Sequence, residues 1–258
     1  MKSVEAAACA LLISCAAAAP ARAEKLITSL SSSRVLITSN YLGADIVLFG
    51  AIERDASTVS RAGPYDIVIT AKGPRGPVVV RQKQQAGPVW INREQRRYLD
   101  VPSYLSVLST RALDLVTSPE FAERLKIGIG NIVRPPDALT RDFDREADTY
   151  RQALIRLKTD RGLYSSDARG VTFLSGNLFR AVIRLPAAAP TGAYEIETRL
   201  FAGSAPLAEA QNQLEVSKIG FEAVVAARAR DSAWIYGLLI CFLAVSFGFI
   251  AHVMFRRN

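Results

Sequence analysis

The chain has 258 residues, half of them hydrophobic, with a formal net charge of +8 at pH 7 and a single histidine. Cys9 and Cys15 lie in an N-terminal apolar run, and Cys241 and His252 in a C-terminal one, so the stretch between holds neither thiol nor imidazole. That excludes Ser-His and Cys-His catalysis, disulfide stapling and the ordinary zinc sites from the middle of the chain.

The N-terminus has the form of an export signal. Lys2 supplies a short positive region, Ala6 to Ala19 is apolar but too short to span a bilayer, and Pro20 precedes Ala21-Arg22-Ala23, an A-x-A cleavage pattern. The reading is a secretory signal peptide over 1–23, cut after Ala23. An uncleaved anchor is the alternative, and a lipoprotein signal through Cys15 is the weaker one, because Glu5 sits close by.

Residues 24–117 read as β. Arg34 to Thr38 is short and β-branched, and Ala44 to Ile52 is apolar on both faces, as expected of a central strand buried on two sides. Tyr65 to Ala71 and Val78 to Lys83 flank Gly73-Pro74-Arg75-Gly76-Pro77, which is dense turn chemistry. Further strands are predicted at Val89 to Asn92 and Tyr104 to Thr110. Short strands with close turn signals predict an immunoglobulin-like sandwich, with Trp90 as a core anchor rather than a ligand platform.

Over 118–161 the pattern becomes helical. Ser118-Pro119 can cap and open a short helix to about Leu125. After Pro135-Pro136-Asp137, the residues Leu139, Phe143, Ala147, Tyr150, Leu154 and Leu157 form one apolar stripe, and Gly162 is a natural stop. Asp142 and Asp144 suit the positive end of this helix. Over 162–220 strands return at Gly170 to Ser175, Leu178 to Leu185, Ala193 to Ala202 and Leu207 to Val216. Leu178 to Leu185 does not alternate cleanly, and the two β regions are compatible with one core or with two.

Residues 221–258 are predicted to be a juxtamembrane and membrane-spanning helix. Trp234 to Phe255 contains no acid, Lys or Arg, and 22 helical residues reach about 33 Å, enough for a bilayer's hydrocarbon core. Arg256-Arg257 then agree with the positive-inside tendency, whereas Arg228 and Arg230 on the other flank argue mildly against it. Export followed by a stop-transfer helix predicts a periplasmic ectodomain, a single span in the bacterial inner membrane and a cytoplasmic C-terminus.

Several blocks in order carry a family likeness: NYLGADIVLFGAI, GPRGPVVVRQK, GPVWIN at Gly87 to Asn92, VPSY at Val101 to Tyr104, LFRAVIRLP, PTGAYEIETRLF and the closing FRR. Together they resemble a family of alphaproteobacterial transmembrane proteins of uncharacterised activity. The resemblance implies a signal peptide, a periplasmic β-rich domain and one C-terminal helix. It also implies a genomic setting near sulfite-exporter-type permeases, hence a pathway shared with a sulfur oxyanion. It supplies no catalytic residue.

The candidate chemistry is sparse. Asp142 to Asp148 resembles a calcium loop, but its sixth and twelfth positions are Ala147 and Ala153 where glycine and a bidentate glutamate are needed. Asn40 to Asp45 reads as an ordinary turn. Glu195 and Glu197 share a strand face but lack an evident cleft, and His252 has no acid partner for proton relay. No phosphate-cradling glycine motif, HExxH or GxSxG is present.

The basic hairpin is the best candidate. Lys72, Arg75, Arg81 and Lys83 surround the Gly-Pro turn, and Arg93, Arg96 and Arg97 follow Trp90. Such residues could bind an oxyanion or phosphate, or form a basic surface beside an anionic membrane. The expectation is a non-enzymatic accessory subunit that needs no cofactor or metal. It would dock through this hairpin to an integral membrane partner, with a sulfite-exporter-type permease the one implied by the resemblance. A tethered anion-binding module is the alternative. Nucleic acid is excluded by export.

Overall fold

The computed structural model describes residues 24–38, 41–54, 64–133, 145–218 and 233–255. Among these residues, twelve strands carry the fold. Sheet A has the order β1-β3-β10-β9, formed by β1 (Glu24–Leu30), β3 (Gly43–Arg54), β10 (Leu178–Pro186) and β9 (Val171–Phe173), all antiparallel. Sheet B has the order β2-β12-β11-β4-β7-β8, formed by β2 (Arg34–Ile37), β12 (Ala205–Lys218), β11 (Gly192–Ala202), β4 (Asp66–Lys72), β7 (Leu105–Ser109) and β8 (Tyr164–Asp167). Its outer pairs, β2–β12 and β7–β8, are parallel. The chain is mainly β.

Both β-rich stretches contribute to both sheets, so they share the core between the sheets and do not each build one of their own. Ile46, Leu48 and Ile52 of β3 and Phe179, Ala181 and Ile183 of β10 pack against Ile67 and Ile69 of β4 and Ile196 and Leu200 of β11. A second core lies on the other side of sheet B. There Val68, Leu105, Val107 and Phe201 meet a cover of α1 (Leu113–Val116), α3 (Ile129–Ile132) and α4 (Arg145–Asp160), joined by Leu125 just after α2 (Pro119–Arg124). Sheet B is therefore the middle of three layers, and β4 and β7 are buried along their whole length.

That layering corrects one expectation. β3, not β4, was predicted to be buried on two sides, yet its buried residues alternate and Phe49 is exposed. Sheet A is an outer layer, and the far side of β3 faces out. β10 also alternates cleanly: Phe179, Ala181, Ile183 and Leu185 are buried, whereas Arg180 and Arg184 are exposed.

Local signals explain the helices. Ser118 Oγ accepts from the Phe121 N–H at 3.4 Å, the expected cap of α2. Gly162 takes φ +67 just after α4, which a side-chain-bearing residue would resist. Tyr150 and Leu154 face the core, but Leu157 is exposed. Leu139 and Phe143, the start of the predicted stripe, lie outside the described residues, as do the signal segment and Phe221 to Ser232.

Helix α5 (Ala233–Phe255) is 23 residues long. Its side chains are described without interruption only from Ile240 to His252, and these are almost all exposed. Among residues described with their side chains, which in α5 form no unbroken run beyond Ile240 to His252, no helix is long and apolar enough to cross a membrane.

Candidate functional site

The basic segment forms one long ribbon. β5 (Arg75–Ala86) and β6 (Val89–Pro102) pair as a hairpin. The pairing prolongs the β4–β7 ladder: Lys72 opposes Leu105, the Gly73 N–H donates to Tyr104 O at 2.8 Å, the Ser103 N–H donates to Pro74 O at 2.8 Å, and Arg75 opposes Pro102. The turn expected over Gly73 to Pro77 is thus only a passage between strands. Gly76 and Pro77 already lie within β5, and β6 runs ten residues past the predicted end at Asn92, to Pro102.

The ribbon's base is anchored. Val80, Tyr98 and Val101 are buried with Leu154 and Tyr150 of α4. The Tyr150 hydroxyl lies 3.1 Å from both Gln82 Oε1 and Glu94 Oε2. Burial is the main force raising the Tyr98 phenol's pKa above its ordinary value. Beyond Gln82 the hairpin projects four further residues to Ala86 before Gly87-Pro88 turns it, an arm of about 14 Å at 3.4 Å per residue. Gly87 at φ +64 with proline next fits the turn that suits a twisted hairpin.

Register sorts the candidates. The bulge between Gln82 and Lys83 leaves Arg93 unpaired, so Val79–Arg97, Arg81–Gln95, Lys83–Asn92 and Gln85–Trp90 all oppose each other on the outward face. Arg81, Lys83, Trp90 and Arg97 are therefore brought together and exposed. Arg81 Nε donates to Gln95 Oε1 at 3.3 Å. Arg96 is exposed but opposes Val80 on the other face. The backbone of Arg93 lies in β6, and its side chain is outside the described set.

Trp90 is the chief correction. It is 63% exposed at the hairpin tip, between Val89 and Ile91, which are exposed as well. Aromatic composition argued for a core anchor, but the core is already filled by Tyr104, Tyr164, Tyr194, Phe179 and Phe201.

Lys72 and Arg75 belong to a different place. Lys72 is buried, its ammonium against a Glu197 carboxylate oxygen. Arg199 Nη2 stands 2.9 Å from the second Glu197 oxygen, an ionic contact without hydrogen-bond alignment. Arg199 also donates from Nε to Glu209 Oε2 at 3.2 Å and from Nη1 to Leu125 O at 3.2 Å. Burial pushes the Glu209 carboxyl up, but hydrogen bonds from Gln211 and Arg199 and the Arg199 charge outweigh it and hold it below the usual range.

Arg75 Nη1 donates to Asp100 Oδ2 at 2.6 Å. Lys72, Arg75, Asp100, Leu99, Lys126 and Asn131 line a cleft of about 280 Å³. The sequence marked two of its cations but not the acids that neutralise them, because the partners lie 25 and 125 residues away. Among the described residues there is no cluster of three or more His, Cys, Asp or Glu that could hold a metal ion.

A family model described as "Putative transmembrane protein (Alph_Pro_TM)" matches residues 25–257. The chain belongs to that family. The match runs through both sheets, the ribbon and α5, and takes in all of the described structure but Glu24. A comparison with characterised proteins returns no match. Among solved structures, the chain is similar to Spo0M, a sporulation control protein from Bacillus subtilis, at 9% identity and a TM-score of 0.29. That likeness covers 81% of this chain and 55% of the other, and it is too loose to bear on the architecture.

Proposed function

We propose that this is a single-pass inner-membrane protein whose periplasmic sandwich works by binding, as a non-enzymatic accessory subunit docked to an integral membrane protein. Membership of a transmembrane family supports the membrane setting. α5 supports it too: its 23 residues include no Asp, Glu, Lys or Arg, and at 1.5 Å each they reach about 35 Å. Trp234, Leu238, Phe242, Val245, Phe247 and Phe249 are all exposed, which suits a helix whose surroundings are lipid. The signal-like start and Arg256-Arg257 support this orientation.

The sandwich itself we read as immunoglobulin-like. Two face-packed sheets support this, as does Tyr194 early in β11, whose hydroxyl donates to Pro190 O at 2.6 Å in the manner of a tyrosine corner.

The observation that carries docking is the outward face of sheet A. Ile27, Ala51 and Leu178 oppose one another across three strands, and Phe49 and Val47 continue the row. Ile27, Phe49 and Leu178 are exposed there. Contiguous apolar surface on a sheet face is what protein partners use, whereas scattered apolar residues need no explanation. Of the cations a tethered anion-binding module would use, Lys72 and Arg75 are already paired with Glu197 and Asp100, which leaves those of the ribbon.

The test is purification of the tagged full chain from detergent-solubilised membranes at native expression. One stoichiometric integral membrane partner is expected, a sulfite-exporter-type permease being the first to look for, and Phe49→Lys is expected to lose it. Recovery of the tagged chain alone would defeat the proposal.

A further inference from the structure

We infer that the tip of the β5–β6 hairpin beds in the headgroup region of an anionic bilayer, the same membrane that holds α5; this rests on reading α5 as the span. Three observations converge. The first is the tip's chemistry. Trp90 lies on one face of the ribbon and Val89 and Ile91 on the other, with Gly87-Pro88 at the apex, and all three apolar residues are exposed. A partner protein pressed against one side would need only one apolar face. A tip apolar on both sides suits immersion, and indole is the side chain most at home at a lipid–water boundary.

The second is charge. Behind the tip, Lys83, Arg81 and Arg97 are exposed on the Trp90 face. From Val79 to Arg97 the segment holds five Lys or Arg against one acid, Glu94, and Glu94 Oε2 already faces the Tyr150 hydroxyl. Cations set just behind an apolar tip match the phosphates of anionic lipid.

The third is placement. β4 and β12 both run antiparallel to β11, and Lys72 and Gln213 flank Glu195 in register. The ribbon therefore leaves sheet B at the same end as β12, whose Lys218 precedes α5 by 14 residues. Fourteen residues span at most about 50 Å, and β5, 12 residues long, extends about 41 Å. The tether and the ribbon can thus meet one membrane plane.

The chain's two tryptophans make the test separable. The full chain is reconstituted in vesicles of phosphatidylglycerol and phosphatidylcholine carrying phospholipid brominated high on the acyl chain. Trp234→Phe leaves Trp90 as the sole reporter, and Trp90→Phe leaves Trp234. Trp90 emission is expected to shift to the blue and be quenched. In pure phosphatidylcholine, or with Arg81→Gln, Lys83→Gln and Arg97→Gln combined, that quenching is expected to be lost. Trp90 unquenched while Trp234 is quenched overturns the inference alone, and a blue shift without quenching does so by pointing to a protein contact. Trp234 unquenched overturns the membrane span and the inference with it.

Discussion

Lys72 and Glu197 meet on the helix-covered face of sheet B, the ammonium against the carboxylate, each about nine-tenths removed from solvent. Glu197 is shared, because Arg199 approaches its other oxygen and is in turn bound to Glu209. Removing one member of a buried pair costs about 3–5 kcal/mol, because the remaining charge is left without compensation. Glu197→Leu should destabilise the fold by that order and more than Lys72→Met does, since it strands the buried Lys72 ammonium, whereas after the lysine change Glu197 keeps Arg199. Chemical denaturation followed by circular dichroism measures both. Equal losses would mean that the carboxylate is not the hub.

The same pairing bears on anions. With Lys72 and Arg75 engaged by acids, the cleft they line offers Lys126 as its remaining cation. Sulfite, sulfate or phosphate should leave the melting temperature of the protein where it was. A rise that Arg75→Ala abolishes would restore the anion-binding reading.

Gly50 and Phe179 oppose each other across β3 and β10, and the ring occupies the space that a side chain on Gly50 would take, 2.1 Å from where a Cβ would stand. Phe179 is fully buried and cannot retreat. Overpacking of this kind costs about 1–3 kcal/mol, and Gly50→Ala is expected at the upper end. Phe179→Leu in the same chain should return part of the loss. Additive losses in the double variant would show that the two positions do not compete for this space.

Several of these features could be read in advance, and the residues show why others could not. Strand positions at Arg34, Tyr65, Leu178 and Ala193 followed from β-branched runs and turn residues, and the α2 cap from Ser118-Pro119, because each depends on neighbours in sequence. The failures depend on layers. β3 looked doubly buried because Val47, Phe49 and Ala51 are apolar, yet they line an open face. β6 was cut short at Asn92 because Arg93 to Arg97 are polar, whereas a two-stranded arm with one covered face tolerates such a run. Trp90 was placed inside on composition alone. Lys72 was grouped with surface arginines because its acid lies on another strand.

The ribbon should therefore divide sharply under truncation. Trp90→Ala removes an exposed side chain that touches no core, and surface changes of this sort stay within about 0.5 kcal/mol. Tyr98→Ala, eight residues along the same strand, empties a buried site against α4, where large-to-small changes of an aromatic cost about 3–5 kcal/mol. Comparable destabilisation by the two would place Trp90 in contact with the body of the protein.

The last prediction concerns alkali. The Tyr104 hydroxyl donates to Arg184 O at 2.7 Å, joining sheet B to sheet A, and its ring lies 5.6 Å from that of Tyr194. Burial pushes the Tyr104 phenol from 10.0 up to about 12, Ser106 pulls slightly the other way, and the nearby Tyr41 adds to the rise. Tyr194 and Tyr164 are raised as well, chiefly by burial. A raised phenol holds its proton in the folded chain after the unfolded chain has lost it. Its contribution to stability is therefore complete below pH 10 and lost as pH climbs toward 12. Denaturation midpoints should fall steeply across that window. Tyr104→Phe should cost about 1 kcal/mol at neutral pH through the lost hydrogen bond. It should also make the alkaline fall shallower, since phenylalanine has no proton to lose. Spectrophotometric titration reads the same effect directly: part of the phenolate signal from the eight tyrosines should come late, and in one step with unfolding. Ionisation of all of them near the ordinary value in the folded protein would refute it.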